Sequence, residues 1–223
     1  SLYYNTGLSD VVWSRVKDKY QESTVSKVYE SNEFIFEGLN PQGYLEYKHK
    51  KSQLVFVLLP GGTFWMGSPI GQSIRKDLEI PQHQVTLDPF LISKFEVSQK
   101  FMDKSLALQY WYPGDNFPVH NISWQQSQTF CKQHNLDLPT ESEWEYACRA
   151  NSSSLFYWGD EYHSDYLWCD RNSRKKLQEI GTKIPNRFGL YDMAGNVAEW
   201  CNDVWGKYSA QAKKNPVGPD PRP

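Results

Sequence analysis

The sequence predicts an α+β fold in which short antiparallel strands, two helices and long ordered loops share one core. Three observations predict it. Strand–turn–strand patterns recur between Phe34 and Ile92, two capping boxes open helices at Ser123 and Thr140, and turn-forming residues crowd the chain after Arg149.

The elements follow in chain order. Residues 1–33 are polar, with a helix expected around Asp10–Val28 and few apolar residues behind it. They read as an N-terminal extension or linker leading in from an upstream domain. From Phe34 the character changes: Phe34–Glu37, the turn Asn40-Pro-Gln-Gly43 and Tyr44–Lys48 read as strand, turn, strand. Leu54–Leu59 is a buried strand ended by Pro60-Gly61-Gly62, and Thr63–Met66 is expected to continue the sheet after that turn. Gln84–Leu87 and Phe90–Ile92 flank Asp88-Pro89 and read as a further strand pair.

Ser123 followed by Gln126, and Thr140 followed by Glu143, place a hydroxyl and a side-chain carbonyl or carboxylate where each satisfies a backbone N–H. The first helix is expected over Trp124–His134, with Trp124, Ser127, Phe130 and Cys131 on one face. The second begins after Leu138-Pro139 and presents Trp144, Ala147 and Cys148 together. Glu141, Glu143 and Glu145 lie near its start, where the helix dipole favours acids. Beyond it, Asn151-Ser-Ser-Ser154, Trp158-Gly159-Asp160, Asn172-Ser173 and Pro185-Asn186 are loop signals. Long loops need ions, water or aromatic plugs to satisfy their backbone groups.

Composition narrows the function. The 223 residues carry a net charge of −2 and are 39% apolar, with 34 aromatic side chains (9 Trp, 14 Tyr, 11 Phe). The apolar share lies below the roughly 45–50% usual for globular chains, so large rings must supply much of the core. A charge near zero offers no electrostatic case for nucleic acid or an anionic membrane. Leu54–Leu59 is far too short to span a bilayer. Four cysteines, Cys131, Cys148, Cys169 and Cys201, contain no Cys-x-x-Cys pair; the first two sit on presumed buried helix faces, and Cys169 and Cys201 are free to pair or not.

The densest constellation is Gly189-Leu-Tyr-Asp192-Met-Ala-Gly195-Asn196-Val-Ala-Glu199-Trp200. Asp192 and Glu199 offer two hard anionic oxygens around a glycine-containing turn, and the carbonyls of Gly195 and Val197 are natural further ligands for calcium, which takes six to eight oxygens. The alternative is a plain turn in which Asp192 and Asn196 bond their own backbone. No two histidines stand at metal-ligand spacing, Ser123 near His120 is better explained as a cap than as a nucleophile, and no phosphate loop is present. From the residues alone no catalytic set emerges.

Leu138-Pro-Thr-Glu-Ser-Glu-Trp-Glu-Tyr-Ala-Cys148-Arg149 and Gly189–Trp200 resemble the sulfatase-modifying-factor family, the family of formylglycine-generating enzymes. Leu59–Ser68, Pro81–Phe90, Phe95–Ser98, Pro118–Trp124 and Phe156–Gly159 follow the same family order, so the resemblance covers residues 54–219, and residues 34–53 resemble the lead-in strands of bacterial members. The resemblance implies an irregular C-type-lectin-like fold over residues 34–223, and calcium at Asp192, Gly195, Val197 and Glu199. A second family ion corresponds to Asp170–Gly181, which here is short and basic and is expected to lack it. Ala198 departs from the tryptophan usual in the family.

Family enzymes oxidise a sulfatase cysteine to formylglycine with oxygen and a copper ion held by two cysteines. The resemblance places that pair in a strand beyond Asn215–Pro219, so none of the four cysteines here matches it; Cys131 and Cys148 match positions that form disulfides in some members. Two classes of function are implied. In one, the chain is a non-catalytic, calcium-stabilised module that binds a protein, peptide or other ligand, attached to an upstream effector domain. In the other, it is most of a copper-dependent oxidase whose cysteine segment is absent or carried on another chain. A domain lacking that strand is expected to expose an unpaired sheet edge and an apolar face.

Overall fold

The computed structural model describes residues 6–69, 71, 79–102, 106 and 109–218. The polar N-terminal stretch forms two helices rather than one, α1 (Asp10–Val16) and α2 (Glu22–Glu30). Ser9 caps α1 through its side chain. Val16, Tyr20 and Val25 are buried and pack on Leu45, Tyr47 and Leu58. The Tyr20 hydroxyl donates to the Leu58 carbonyl. The break between α1 and α2 leaves Val16 and Val25 on two short helices with Tyr20 between them, so they form no continuous stripe and the segment looks short of hydrophobic drive.

The first sheet contains β1 (Phe34–Leu39), β2 (Leu45–His49), β3 (Val55–Leu59) and β6 (Phe90–Ser93), antiparallel in the order β1-β2-β3-β6. Asn40 shapes the first turn: its Oδ1 accepts the Tyr44 N–H at 2.9 Å, and Gly43 takes a φ of +79° that favours glycine. The second sheet contains β4 (Gly62–Met66), β5 (His83–Leu87) and β7 (Lys213–Lys214) in the order β4-β5-β7; β4 and β5 are antiparallel, β5 and β7 parallel.

Two expectations are corrected by this arrangement. Thr63–Met66 does not continue the sheet of Leu54–Leu59, because Gly61 and Gly62, at φ +69° and +126°, turn the chain into the second sheet. A Cβ on Gly61 would lie 2.4 Å from the Leu87 carbonyl oxygen, so the turn needs glycine there. Likewise Gln84–Leu87 and Phe90–Ile92 do not pair with each other. Pro89 has no N–H to offer a ladder, and the Asp88 N–H goes to Asn215 Oδ1 at 2.8 Å, so the chain crosses from one sheet to the other at Asp88-Pro89.

The remaining helices are α3 (Trp124–Gln133) and α4 (Glu141–Arg149), each opened by its expected capping box. The Glu143 N–H donates to Thr140 Oγ1 at 3.2 Å and the Thr140 N–H to Glu143 Oε2 at 2.8 Å. Helix α4 ends at Ala150, which adopts a left-handed φ of +45°. Thr140→Ala is expected to lower stability by about 1 kcal/mol, read as a shift in the urea midpoint at unchanged m-value.

Helix α3 packs Phe130 and Cys131 on Leu54 and Phe56, on one face of the first sheet. Helix α4 packs Tyr146 and Ala147 on the other face, with Val57, Leu59, Val85, Phe188 and Leu190. The loop-rich segment after Ala150 is held by side chains bonding backbone and by rings. Trp158 lies between Phe156 and Tyr166, with centroids 4.6 and 5.1 Å away. Among the described residues, no helix is long and apolar enough to cross a membrane.

Candidate functional site: an acidic loop and an apolar groove

Residues 189–200 form a turn stabilised from outside itself. Asp192, at φ +58°, and Asn196, at φ +81°, reverse the chain. Gly195 lies against the Trp168 carbonyl oxygen, which a Cβ would approach to 2.2 Å. The Asn196 N–H donates to that same carbonyl at 3.0 Å. The Asn196 amide then bridges two other segments: its Oδ1 accepts the Gln178 N–H at 3.1 Å and its Nδ2 donates to Glu96 Oε2 at 2.8 Å. A plain turn whose Asp192 and Asn196 side chains serve their own backbone is therefore not what forms.

Of the four expected ligand residues, Asp192 is 3% exposed. Its Oδ2 accepts the Gly181 N–H at 2.6 Å, while its Oδ1 is buried without a hydrogen-bond partner among the described residues. Glu199 keeps an exposed surface, and its Oε2 accepts Trp144 Nε1–H at 2.6 Å. Among the described residues nothing donates to the carbonyl oxygens of Gly195 or Val197.

Sequence reasoning missed Glu96. It is 7% exposed, and its Oε1 accepts the Val197 N–H at 3.2 Å while its Oε2 takes the Asn196 amide. Its one local signal is an acid held between apolar neighbours, Phe95 and Val97. Burial pushes the Glu96 carboxyl up to about 9, helped by the charges of Asp192 and Glu199. Burial also raises Asp192, against the Gly181 N–H and Lys183. Although the residue as a whole reaches solvent, its carboxyl is enclosed beside Trp144, and that enclosure raises Glu199 as well, against the Trp144 hydrogen bond and with the Asp192 charge adding to the rise.

This donor set suits a hard cation. The acids are oxygen donors, one buried carboxylate oxygen lacks a partner, and the acids disfavour one another's ionisation. Among the described residues no three His, Cys, Asp or Glu side chains gather as a metal cluster. A cation here would accordingly draw on backbone carbonyls as well as carboxylates.

The four cysteines are free thiols. Burial pushes Cys131 up to about 11 and Cys148 up to about 12, and the Cys148 thiol donates to the Met193 carbonyl at 3.1 Å. Both are protonated at neutral pH, unlike the thiolates that bind soft metals. At pH 8 they are expected to react with iodoacetamide at least ~100-fold more slowly than an ordinary exposed cysteine, because so little thiolate is present; time-resolved peptide mass spectrometry checks this. The histidines have structural partners: His120 Nε2 accepts the Trp111 N–H at 3.0 Å, and His49 Nδ1 bonds Ser52 Oγ at 2.9 Å.

Beside the acidic loop lies an apolar groove of about 260 Å³. Leu54, Phe56, Leu91 and Phe130 line one side, and Phe90, Ile92, Trp144 and Met193 line the other. Glu96 and Glu199 stand at its end.

Comparison with known proteins bears on the family and the fold. The family model described as a sulfatase-modifying factor enzyme 1-like domain matches residues 42–218. The mouse formylglycine-generating enzyme is 29% identical over 231 aligned positions, covering 73% of this chain and 62% of that enzyme. The bovine protein named inactive C-alpha-formylglycine-generating enzyme 2 is 28% identical over 65% of this chain and 69% of its own length. The Chlamydia pneumoniae serine/threonine-protein kinase pkn1 is 30% identical over 73% of this chain and 30% of the kinase. This chain thus spans about three-fifths of the mouse and bovine formylglycine-generating enzymes.

Among solved structures, PvdO from Pseudomonas aeruginosa superposes with a TM-score of 0.63 at 25% identity, over 76% of this chain and 80% of that one. Treponema denticola variable protein 1 shares the fold, at a TM-score of 0.58 and 22% identity over 77% of this chain and 82% of its own. With the motifs in family order, the irregular α+β fold in place and the family model matched over most of the chain, the protein belongs to the sulfatase-modifying-factor family.

Proposed function

We propose that this chain acts as a non-catalytic binding module of the sulfatase-modifying-factor family, stabilised by calcium in the loop of Asp192, Gly195, Val197 and Glu199. The observation that carries the reading is the buried, unpartnered Oδ1 of Asp192. An anionic oxygen removed from water without a partner costs free energy, which a bound dication offsets. Similarity to a relative named as inactive supports the non-catalytic part.

The competing reading, most of a copper-dependent formylglycine-generating oxidase, requires the cysteine segment to come from elsewhere. It rests on similarity to the mouse enzyme. Oxygen uptake with a Cys-x-Pro-x-Arg peptide and added copper separates the two. The module reading expects no formylglycine from residues 1–223, and turnover by this chain alone overturns it.

For calcium, the test is thermal melting with excess calcium against a chelator. At a hundredfold excess over Kd the ion adds about 2.7 kcal/mol, a rise of roughly 5–10 °C for a domain of this size. Asp192→Asn keeps an acceptor for the Gly181 N–H and removes the buried charge. It is expected to match or exceed the wild-type melting temperature in chelator, and to lose the calcium-dependent rise. An equal rise in the variant sinks the assignment.

A further inference from the structure

Between Arg171 and Gln178 the chain places four cations, Arg171, Arg174, Lys175 and Lys176, and no acid. All four are exposed, and none makes an ion pair among the described residues. Like charges this close repel one another, so folding alone gives no reason to gather them.

The backbone beneath them sharpens the point. The Lys176 N–H donates to the Ser173 carbonyl at 3.2 Å, closing a turn whose two central residues, Arg174 and Lys175, take φ of +55° and +57°. Two positive φ values in succession mark a type I′ turn, for which Asn-Gly is the preferred pair. Arginine and lysine carry a Cβ into the left-handed region, where it is crowded by backbone. Strain kept at an exposed turn points to a task for the side chains themselves.

The turn is also held in place before any ligand arrives. Gln178 Nε2 donates to the Ser173 and Lys176 carbonyls at 3.1 and 3.2 Å, one on each side of the turn. Asn172 Oδ1 accepts the Cys169 N–H at 2.9 Å, and its Nδ2 donates to the Leu167 carbonyl at 2.8 Å. The Gln178 main chain is tied to the Asn196 amide, so the turn stands on the scaffold of the acidic loop. Arg171 lies over the Tyr162 ring at 5.1 Å, a stacking that leaves the edges of its guanidinium open to an acid. A fixed backbone lowers the ordering cost of binding.

We propose that the turn of Arg171–Lys176 is a docking surface for a short acidic segment of a partner protein, its carboxylates matched to the four cations. This deepens, and rests on, the binding-module reading above. Charge balance selects the kind of partner. The whole chain is net −2 with these four cations included, so the remainder is more negative still. A long polyanion such as nucleic acid, or an anionic membrane, meets that repulsion beyond the turn, whereas a short acidic segment ends before it.

The test titrates residues 1–223 with the peptide Gly-Glu-Asp-Tyr-Glu-Asp-Gly by calorimetry. Binding is expected, weakening at least fivefold between about 50 and 300 mM NaCl. Arg174→Asn together with Lys175→Gly installs the pair that the turn prefers and removes two cations. It is expected to hold or raise the melting temperature and to weaken binding at least tenfold. Lys176→Glu keeps the turn's own residues and is expected to weaken binding by a similar factor. Lys17→Gln together with Lys27→Gln removes the same charge from exposed positions at the end of α1 and on α2, and is expected to leave binding within twofold.

No binding overturns the proposal, as does binding that the Arg174→Asn and Lys175→Gly pair leaves unchanged. So does equal binding of a peptide with lysine in place of its acids, or tighter binding of single-stranded DNA or of phosphatidylserine vesicles. Formylglycine turnover strikes the non-catalytic reading whatever the peptide does, and absent peptide binding without turnover strikes the turn alone.

Discussion

Phe188→Ala is expected to destabilise the protein by about 4 kcal/mol, the range found when a fully buried phenylalanine is truncated. Phe188 is 0% exposed, and two distant parts of the chain converge on its ring. Tyr44, just beyond the β1–β2 turn, meets it edge-on at 5.1 Å, and Tyr146 of α4 stacks on it at 5.4 Å. The loss combines removed transfer free energy with a cavity that sheet and helix cannot readily close. Phe188→Leu keeps much of the volume and is expected to cost less than half as much. Urea unfolding of both variants checks the pair, and a loss below 1.5 kcal/mol for the alanine variant would show that the rings repack around the space.

Asn186→Ala is expected to cost about 3–5 kcal/mol for a different reason, because it leaves buried polar groups unpaired. Asn186 is 2% exposed. Its Nδ2 donates to the Ala147 carbonyl at 2.7 Å, and its Oδ1 accepts the N–H groups of Phe188 and Leu190 at 3.0 and 3.2 Å. One amide thus satisfies the end of α4 and the loop that carries Phe188. In the variant the Phe188 and Leu190 amides are expected to exchange far faster than in the wild type, in parallel with a fall in melting temperature. Retained protection there would mean that water replaces the side chain. The two substitutions act on adjoining groups, so their combined effect is expected to fall short of additivity.

These two residues illustrate what local sequence can and cannot convey. The capping boxes at Ser123 and Thr140 were legible within a residue, because their chemistry is complete inside four positions. Most strand positions were legible too, as was the hairpin of β1 and β2, but β7 was not, nor were the remaining partners. A strand pattern says that one or both faces are buried and nothing about which sheet receives it, so the crossings at Gly61-Gly62 and Asp88-Pro89 looked like ordinary turns. Tyr20 and Val25 looked like isolated residues of a polar arm until β2 and β3 were placed beneath them.

The acidic loop divides in the same way. Asp192 and Glu199 announce themselves by clustering with glycine and asparagine. Glu96 stands 100 residues from the Asn196 it holds, and only the fold brings the two together.

The crossing at Asp88-Pro89 also fixes an order of events in biosynthesis. Val85 and Thr86 pair with Lys213 and Lys214, and the Asp88 N–H is taken by Asn215. While residue 90 is leaving the ribosome, that edge of β5 and that N–H have no partner, and more than a hundred further residues must be translated before one arrives. At about 5–20 residues per second, the second sheet waits several seconds, incomplete, for its third strand. Parallel pairing across such a separation is intrinsically slow to form. The nascent chain therefore carries an open β5 edge for as long as residues 91–212 are being translated, and chaperones that bind exposed strands are expected to engage it at that stage.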